Sequence, residues 1–195
     1  MRKPPKESIK PDRRVARTKQ SLQRALIALL GVKPYDEISV TDICDHANVG
    51  RSAFYQHFSC KDDLFRKGFS RLSDDLVTAL NEAPFSKPNE KLTTLAEGLL
   101  RHGQAHARIY RATTSGHAGT MTAKVMTDLL SPMVANILDS SPEPDNVTLR
   151  LKAAVIVSAL LGAMHWWLQR GGKMKLVTVM ATIQPLLNSF VSSSR

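Results

Sequence analysis

Helical periodicity runs through almost the whole chain, and it limits the fold more than any other feature of the sequence. Apolar residues recur every three or four positions, whereas the alternation that marks a β-strand is almost absent. Clusters of Pro, Gly and Asn separate the periodic segments. The pattern predicts an all-α fold of about nine helices, with a small N-terminal head and a larger helical body.

The breaks allow bounds to be predicted for each segment. We expect helices over about 12–32, 40–47, 51–57, 59–83, 89–107, 118–138, 146–170 and 173–191, with a short element at 108–114. Pro185 is expected to kink or divide the last of them. These segments predict three units: a basic flexible arm (1–11), a three-helix head (12–60) and a helical body (61–195).

The charge of the chain is strongly positive and uneven. Lys and Arg number 27 against 17 Asp and Glu, a formal net charge of +10. Nine basic residues and two acidic ones lie between Met1 and Arg24. Such a balance favours a polyanionic partner, most often nucleic acid, although solubility alone is the simpler explanation. We expect residues 1–11 to be a solvated tail.

The remaining composition argues for a soluble, cytoplasmic protein. Cys44 and Cys60 fit neither a disulfide framework nor a metal-binding spacing, and we expect Cys44 to pack inside the head. The basic N-terminus is not followed by the apolar run of a secretory signal. The longest apolar stretch, 153–168, is shorter than the ~18–20 residues of a membrane-spanning helix.

The segment from Tyr35 to Phe65 contains two short predicted helices separated by a three-residue turn. Ser39 is a good N-cap, and Asp42 three residues later completes a capping-box pattern. Asn48 or Gly50 supplies the left-handed backbone that a tight turn needs. Apolar residues suited to packing the helices together are Ile38, Val40, Ile43, Ala47 and Val49. This arrangement predicts a helix-turn-helix.

A distinctive set of residues lies in and around the turn. It consists of Ser39, the turn 48–50, the run Phe54-Tyr55-Gln56-His57-Phe58, Lys61 and Leu64-Phe65. With these residues, the segment 12–70 resembles the DNA-binding domain of the TetR/AcrR family of transcriptional regulators. The position before Val49, often Gly in that family, is Asn48 here, and Asn also tolerates a positive φ.

The resemblance implies a set of DNA contacts. Tyr55, Lys61, Ser39 and Thr41 are expected at backbone phosphates, and Arg51 is the best candidate for a bidentate contact to guanine. His57 is expected to orient its neighbours, while Phe54 and Phe58 belong to the core. The full predicted DNA-binding set is Ser39, Thr41, Gly50, Arg51, Ser52, Ala53, Tyr55, Gln56, His57 and Lys61.

The resemblance also implies that the body forms dimers and binds an effector. Two C-terminal helices of such bodies build an intersubunit four-helix bundle, and the predicted helices 146–170 and 173–191 fit that role. The first of these is apolar on several sides, so it must be buried, and a body this small has little room for it without a partner. An ordinary monomeric core is the alternative.

The histidines of the body leave their roles open. His102 and His106 share one helix face and have a spacing compatible with zinc, but no carboxylate or thiolate at supporting spacing favours a metal site. Surface or core positions are the favoured interpretation, and lining of a pocket is the next. The candidate ligand-binding residues are His102, His106, Tyr110, Met121 and Trp166, and neither a metal nor a cofactor is expected.

Taken together, the sequence predicts a ligand-responsive repressor that binds a palindromic operator as a homodimer. An activator or a protein-partner-responsive regulator of the same fold is one alternative. A non-specific architectural DNA-binding protein is another, driven by the basic arm. An enzyme is disfavoured because the chain shows no Gly-rich phosphate loop, nucleophile elbow or suitably spaced carboxylate pair.

Overall fold

The computed structural model describes residues 13–83, 87–113, 116–138 and 147–192, and within these ranges the chain forms helices and no β-strand. The predicted all-α fold is therefore confirmed. The predicted arm at 1–11 lies outside the described residues. The elements are α1 (Arg13–Leu30), a 3-10 turn (Tyr35–Glu37), α2 (Val40–Ala47), α3 (Arg51–Tyr55), α4 (Lys61–Lys67), α5 (Ser70–Glu82), α6 (Pro88–Ala105), α7 (Ala107–Ala112), α8 (Gly116–Leu138), α9 (Val147–Gln169) and α10 (Leu176–Ser192).

The first four helices, α1 to α4, are called the head from here on, and they enclose the smaller of two apolar cores. α1 contributes Leu22, Ala25, Leu26 and Leu30 at helical spacing, so that one face of the helix is buried. The other helices and the 3-10 turn complete this core with Tyr35, Ile38, Ile43, Cys44, Phe54, Phe58, Leu64, Phe65 and, from α8, Ala118. Leu64 and Phe65 belong to this core although they lie beyond residue 60, where the sequence predicted the end of the head. The boundary between the two domains stays a prediction.

One predicted helix proves to be two. The segment expected to run from 59 to 83 is interrupted at Gly68 and Phe69, between α4 and α5. The amide of Phe69 donates to the carbonyl of Arg66 rather than to a residue four positions back, so the chain tightens for one turn. Glycine is a poor helix former, which explains the position of the break.

Other differences from the predicted bounds are smaller. α3 ends at Tyr55 rather than at residue 57. Pro185 lies inside α10 and does not divide it, just as Pro132 lies inside α8. Including the divided helix, the described residues form ten α-helices where about nine were predicted.

The remaining helices, α5 to α10, are called the body. They are built around α6, which packs against α5, α8, α9 and α10. Five of its residues have no solvent-exposed surface: Leu92, Leu95, Ala96, Leu99 and Leu100. They meet residues such as Leu72, Met126, Ile156 and Trp167 in the larger of the two cores. A helix surrounded on four sides in this way fixes the positions of its neighbours, because protein cores are close-packed.

The helix α9 is buried on one face and exposed on the other. By length and composition it is the one described helix that meets the criteria for a membrane span, which core helices of soluble proteins also meet. Its buried face contributes Ala153, Ile156, Val157, Leu160, Met164, Trp167 and Leu168 to the body core. The opposite face carries Leu151, Val155 and Trp166, which are 64%, 45% and 48% exposed.

We expect the substitution Leu99→Ala to lower the free energy of unfolding by ~2–5 kcal/mol, because it leaves a cavity in the larger core. Urea denaturation followed by circular dichroism measures this. The matched control is Val32→Ala, at a position that is 77% exposed, where a change below ~0.5 kcal/mol is expected. Similar losses for the two variants would contradict the packing described for α6.

Candidate DNA interface

The second helix of the head begins with a complete capping box. The Ser39 hydroxyl accepts a hydrogen bond from the amide of Asp42 at 3.0 Å, and the Asp42 carboxylate accepts from the Ser39 amide at 2.7 Å. The same carboxylate accepts from the Ser39 hydroxyl and from Lys33. The hydrogen bonds from Ser39 lower the pKa of Asp42 most, followed by the one from Lys33, to about 2. Ser39 is thereby committed to starting α2.

The turn between α2 and α3 depends on Asn48. Asn48 has φ 52° and ψ 48°, and its amide donates to the carbonyl of Asp45 at the end of α2. Gly50 has φ −65° and ψ 146°, an extended conformation that any residue adopts. Of the two residues that the sequence offered for the left-handed position, Asn48 occupies it. The turn is followed directly by α3, which begins at Arg51.

The third helix separates its side chains into a buried face and an exposed one. Phe54 lies in the core of the head, and its ring meets that of Phe58 at a centroid distance of 5.7 Å. Arg51, Ser52, Tyr55 and Gln56 are exposed, whereas Ala53 and His57 are half-buried. An exposed polar helix face of this kind is what enters the major groove in helix-turn-helix proteins. On α2, Thr41 is exposed as well.

Lys61 has a structural role that the sequence did not reveal. Its ammonium donates to the carbonyls of Tyr35 at 2.8 Å and Ile38 at 2.7 Å, and it lies 4.2 Å from the centre of the Tyr35 ring. Burial lowers the pKa of Lys61, against the opposing influence of Asp62. Two of its three N–H groups are thus used inside the head. Its expected phosphate contact stays a prediction.

A polar network joins the head to the body beside Lys61. The Tyr35 hydroxyl donates to Asp62 at 2.5 Å, and the second carboxylate oxygen of Asp62 lies 3.1 Å from Nε2 of His117 on α8. Burial raises the pKa of Asp62, but the hydrogen bonds from Tyr35 and His117, together with the electrostatic attraction of His117 and Lys61, lower it overall. Burial and Asp62 together raise the pKa of Tyr35. The start of α8 is thereby bound to the head.

The five candidate ligand-binding residues do not lie together. His102, His106 and Tyr110 line one cavity, between the head and the body. Met121 packs against the core of the head, and Trp166 lies on the exposed face of α9 beneath Arg170. Among the described residues, no group of three His, Cys, Asp or Glu side chains is arranged to hold a metal ion. A ligand-binding role for these residues stays a prediction.

A short helix that exposes its polar face after a tight turn defines a helix-turn-helix DNA-binding domain. Residues 23–67 match the family model described as "Bacterial regulatory proteins, tetR family". YxbF, an HTH-type transcriptional regulator of Bacillus subtilis, is 36% identical over 80 residues, which are 40% of this chain. The alignment spans 20% of the length of that curated relative.

The whole fold also has counterparts among solved structures. A TetR-family transcriptional regulator from Syntrophomonas wolfei matches with a TM-score of 0.73 and 15% identity, over 91% of this chain and 96% of that one. FadR of Bacillus subtilis, solved in complex with stearoyl-CoA, matches with a TM-score of 0.64 and 15% identity, over 86% and 96%. Residues 23–67 are therefore similar to the DNA-binding domain of the TetR family of transcriptional regulators, and the chain shares the fold of solved TetR-family structures.

We expect Lys61→Met to destabilise the protein by ~1–3 kcal/mol, because the carbonyls of Tyr35 and Ile38 lose a charged donor. Thermal unfolding measures the loss. The matched control is Lys33→Met, which removes a partly exposed ion pair with Asp42 and should cost less than ~1 kcal/mol. Unchanged stability in Lys61→Met would show that the internal hydrogen bonds contribute little.

Proposed function

We propose that the protein is a ligand-responsive transcriptional repressor of the cytoplasm that binds a palindromic operator as a homodimer. The observation that carries the proposal is the exposed face of α3, where Arg51, Ser52 and Gln56 project from a well-packed head. Within the described part of the chain, Arg51 makes no side-chain hydrogen bond or ion pair. An arginine in that position suits a bidentate contact to O6 and N7 of guanine.

The phosphate contacts would come from around this helix. Tyr55 is 52% exposed and its ring contacts that of Phe54, so the side chain is held at the surface of the head. Thr41 is exposed in the first turn of α2, where backbone amides and the helix dipole favour an anion. Gly50 adds no side chain at the start of α3, which lets a DNA backbone approach closely. These groups would fix the position of the protein along the DNA, while side chains of α3 contact the bases.

The proposed dimer rests on α9 and α10. The exposed face of α9 runs through Leu151, Val155, Gly162 and Trp166, and residues 153–169 include no Asp, Glu, Lys or Arg. The neighbouring α10 carries no charged residue from Leu176 to Ser192. Uncharged helix faces of this extent favour a protein partner over water. A second copy of the chain fits best, because two-fold pairing buries the same face of both subunits.

A two-fold dimer explains the palindromic operator. Each head would read one half-site, with the two centres about one helical turn apart or somewhat more. Repression follows where the operator overlaps a promoter, because the bound dimer occupies DNA that RNA polymerase needs. The ligand response is proposed by analogy with FadR, whose structure holds stearoyl-CoA.

The first test is selection of binding sites from random duplex DNA at about 0.15 M salt. We expect one inverted repeat to be enriched, and Arg51→Ala to weaken binding to it by ~1–3 kcal/mol with little change on random DNA. Lys173→Ala, exposed between α9 and α10, is the control with the same loss of charge. Binding without enrichment would instead favour an architectural DNA-binding protein.

The dimer is tested by Gly162→Glu. A Cβ at Gly162 meets no atom within 4 Å, so the folded subunit tolerates the side chain, and glutamate forms helix better than glycine. We expect monomers of 21.5 kDa in sedimentation equilibrium and weaker binding to the inverted repeat. Ala123→Glu, exposed on α8, is the control and should remain dimeric. A dimeric Gly162→Glu variant would place the interface elsewhere.

A further inference from the structure

A cavity of about 760 Å³ lies between the head and the body, a volume typical of small-molecule sites. α1 forms its wall on the head, α4 and α5 form a second wall, and α6 and α7 form the wall on the body. We propose that this cavity binds a small organic acid, a molecule with an apolar body and one carboxylate. The inference rests on the proposed function in that the acid would be the effector.

The inner surface of the cavity is apolar. Ile27 of α1 lines it and is 48% exposed, although the rest of its helix face is buried in the core. A large apolar side chain left exposed at a cavity wall gains from contact with an apolar ligand. Side chains that extend this surface from both domains are Leu26, Leu30, Phe65, Phe69, Leu72, Leu76 and Ala79.

The charged groups of the cavity favour an anion. Three arginines line it, Arg24 from α1, Arg71 from α5 and Arg101 from α6, against a single acidic residue, Asp75. Arg101 is paired with Glu97. Across the described ranges, no side-chain hydrogen bond or ion pair engages Arg24 or Arg71. The guanidinium groups of Arg24 and Arg71 line the same cavity from two different helices, and a guanidinium binds a carboxylate through paired N–H donors.

The imidazole of His102 adds a neutral polar group. Burial is the main cause that lowers the pKa of His102 to about 4, and the neighbouring His106, 4.5 Å away between ring centres, lowers it further. The Asp75 carboxylate raises the pKa of His102, whereas the Arg71 guanidinium lowers it. At neutral pH, His102 is therefore uncharged, and the arginines supply the positive charge of the lining.

The location of the cavity gives its occupant a direct influence on the head. A ligand that contacts both Ile27 and the α6–α7 wall touches the DNA-binding head and the body at once. It would also touch Gly68 and Phe69, where the chain tightens between α4 and α5. Because the two domains share these walls, occupancy favours one orientation of the head over others.

The ligand class is tested on the full-length protein without DNA, by isothermal titration calorimetry with three probes that share a ten-carbon chain. Decanoate carries a negative charge, decan-1-ol is neutral and decyltrimethylammonium is positive. We expect decanoate to bind at least about tenfold more tightly than decan-1-ol, and the cation to bind most weakly. Equal binding of all three, or tighter binding of the cation, would overturn the inference.

Two variants and one control variant locate the binding site. Arg24→Gln/Arg71→Gln should reduce the affinity for decanoate about tenfold and leave decan-1-ol unchanged. Lys124→Gln/Lys173→Gln, with the same loss of charge on exposed residues outside the cavity lining, should affect neither probe. Ala79→Trp, which fills the cavity from α5, should weaken both. Decanoate affinity unchanged in the arginine variant would refute the anion site.

DNA binding is measured separately, so the two proposals can fail independently. Enrichment of an inverted repeat with no preference for decanoate would leave the proposed function standing and remove the organic-acid site. A decanoate preference that depends on Arg24 and Arg71, without sequence-specific DNA binding, would support the site and refute the regulator. Where both hold, saturating decanoate should lower the affinity for the inverted repeat.

Discussion

The arrangement of the head depends on the buried contacts of Tyr35. Its ring is 1% exposed and packs on Phe65, its carbonyl accepts a hydrogen bond from Lys61, and its hydroxyl donates to Asp62. These contacts join the turn before α2 to the start of α4. Because α2 and α3 lie between those two points in the sequence, both ends of the segment that carries α3 are anchored in the core of the head. A DNA-reading helix needs this rigidity, since its contacts with bases are short-ranged and directional.

Much of this head could be predicted from the sequence, because its determinants are local. The capping box at Ser39 and Asp42, the left-handed turn residue Asn48 and the spacing of Phe54 and Phe58 each act within a few positions. The roles of Lys61 and Asp62 could not be predicted, because their partners lie 23 or more residues away in the chain. The break at Gly68 was missed because apolar periodicity continues across it, from Phe65 through Phe69 to Leu72.

The candidate ligand site was harder still to predict from the sequence, because its residues come from distant parts of the chain. The i,i+4 spacing placed His102 and His106 together correctly, and their rings do meet. The arginines that line the same cavity come from α1 and α5, and nothing in the sequence indicates that Arg24 and Arg71 share a cavity with α6. Trp166 was a reasonable candidate by residue type, yet it lies on the outer face of α9, because a helix that is apolar all round does not reveal which face turns inward.

The proposed dimer interface and the proposed ligand cavity have different energetic requirements. The apolar faces of α9 and α10 gain free energy simply by leaving water, so the dimer requires no change in the subunit. A ligand that releases DNA must instead bind the DNA-incompetent state more tightly, and converting mostly bound to mostly released needs ~5 kcal/mol of differential binding. A cavity enclosed wholly within the body would have to transmit that difference through intervening side chains. A cavity that α1 itself helps to form has no such requirement, because any rotation of the head changes the contacts of Ile27 and Arg24 with the ligand directly.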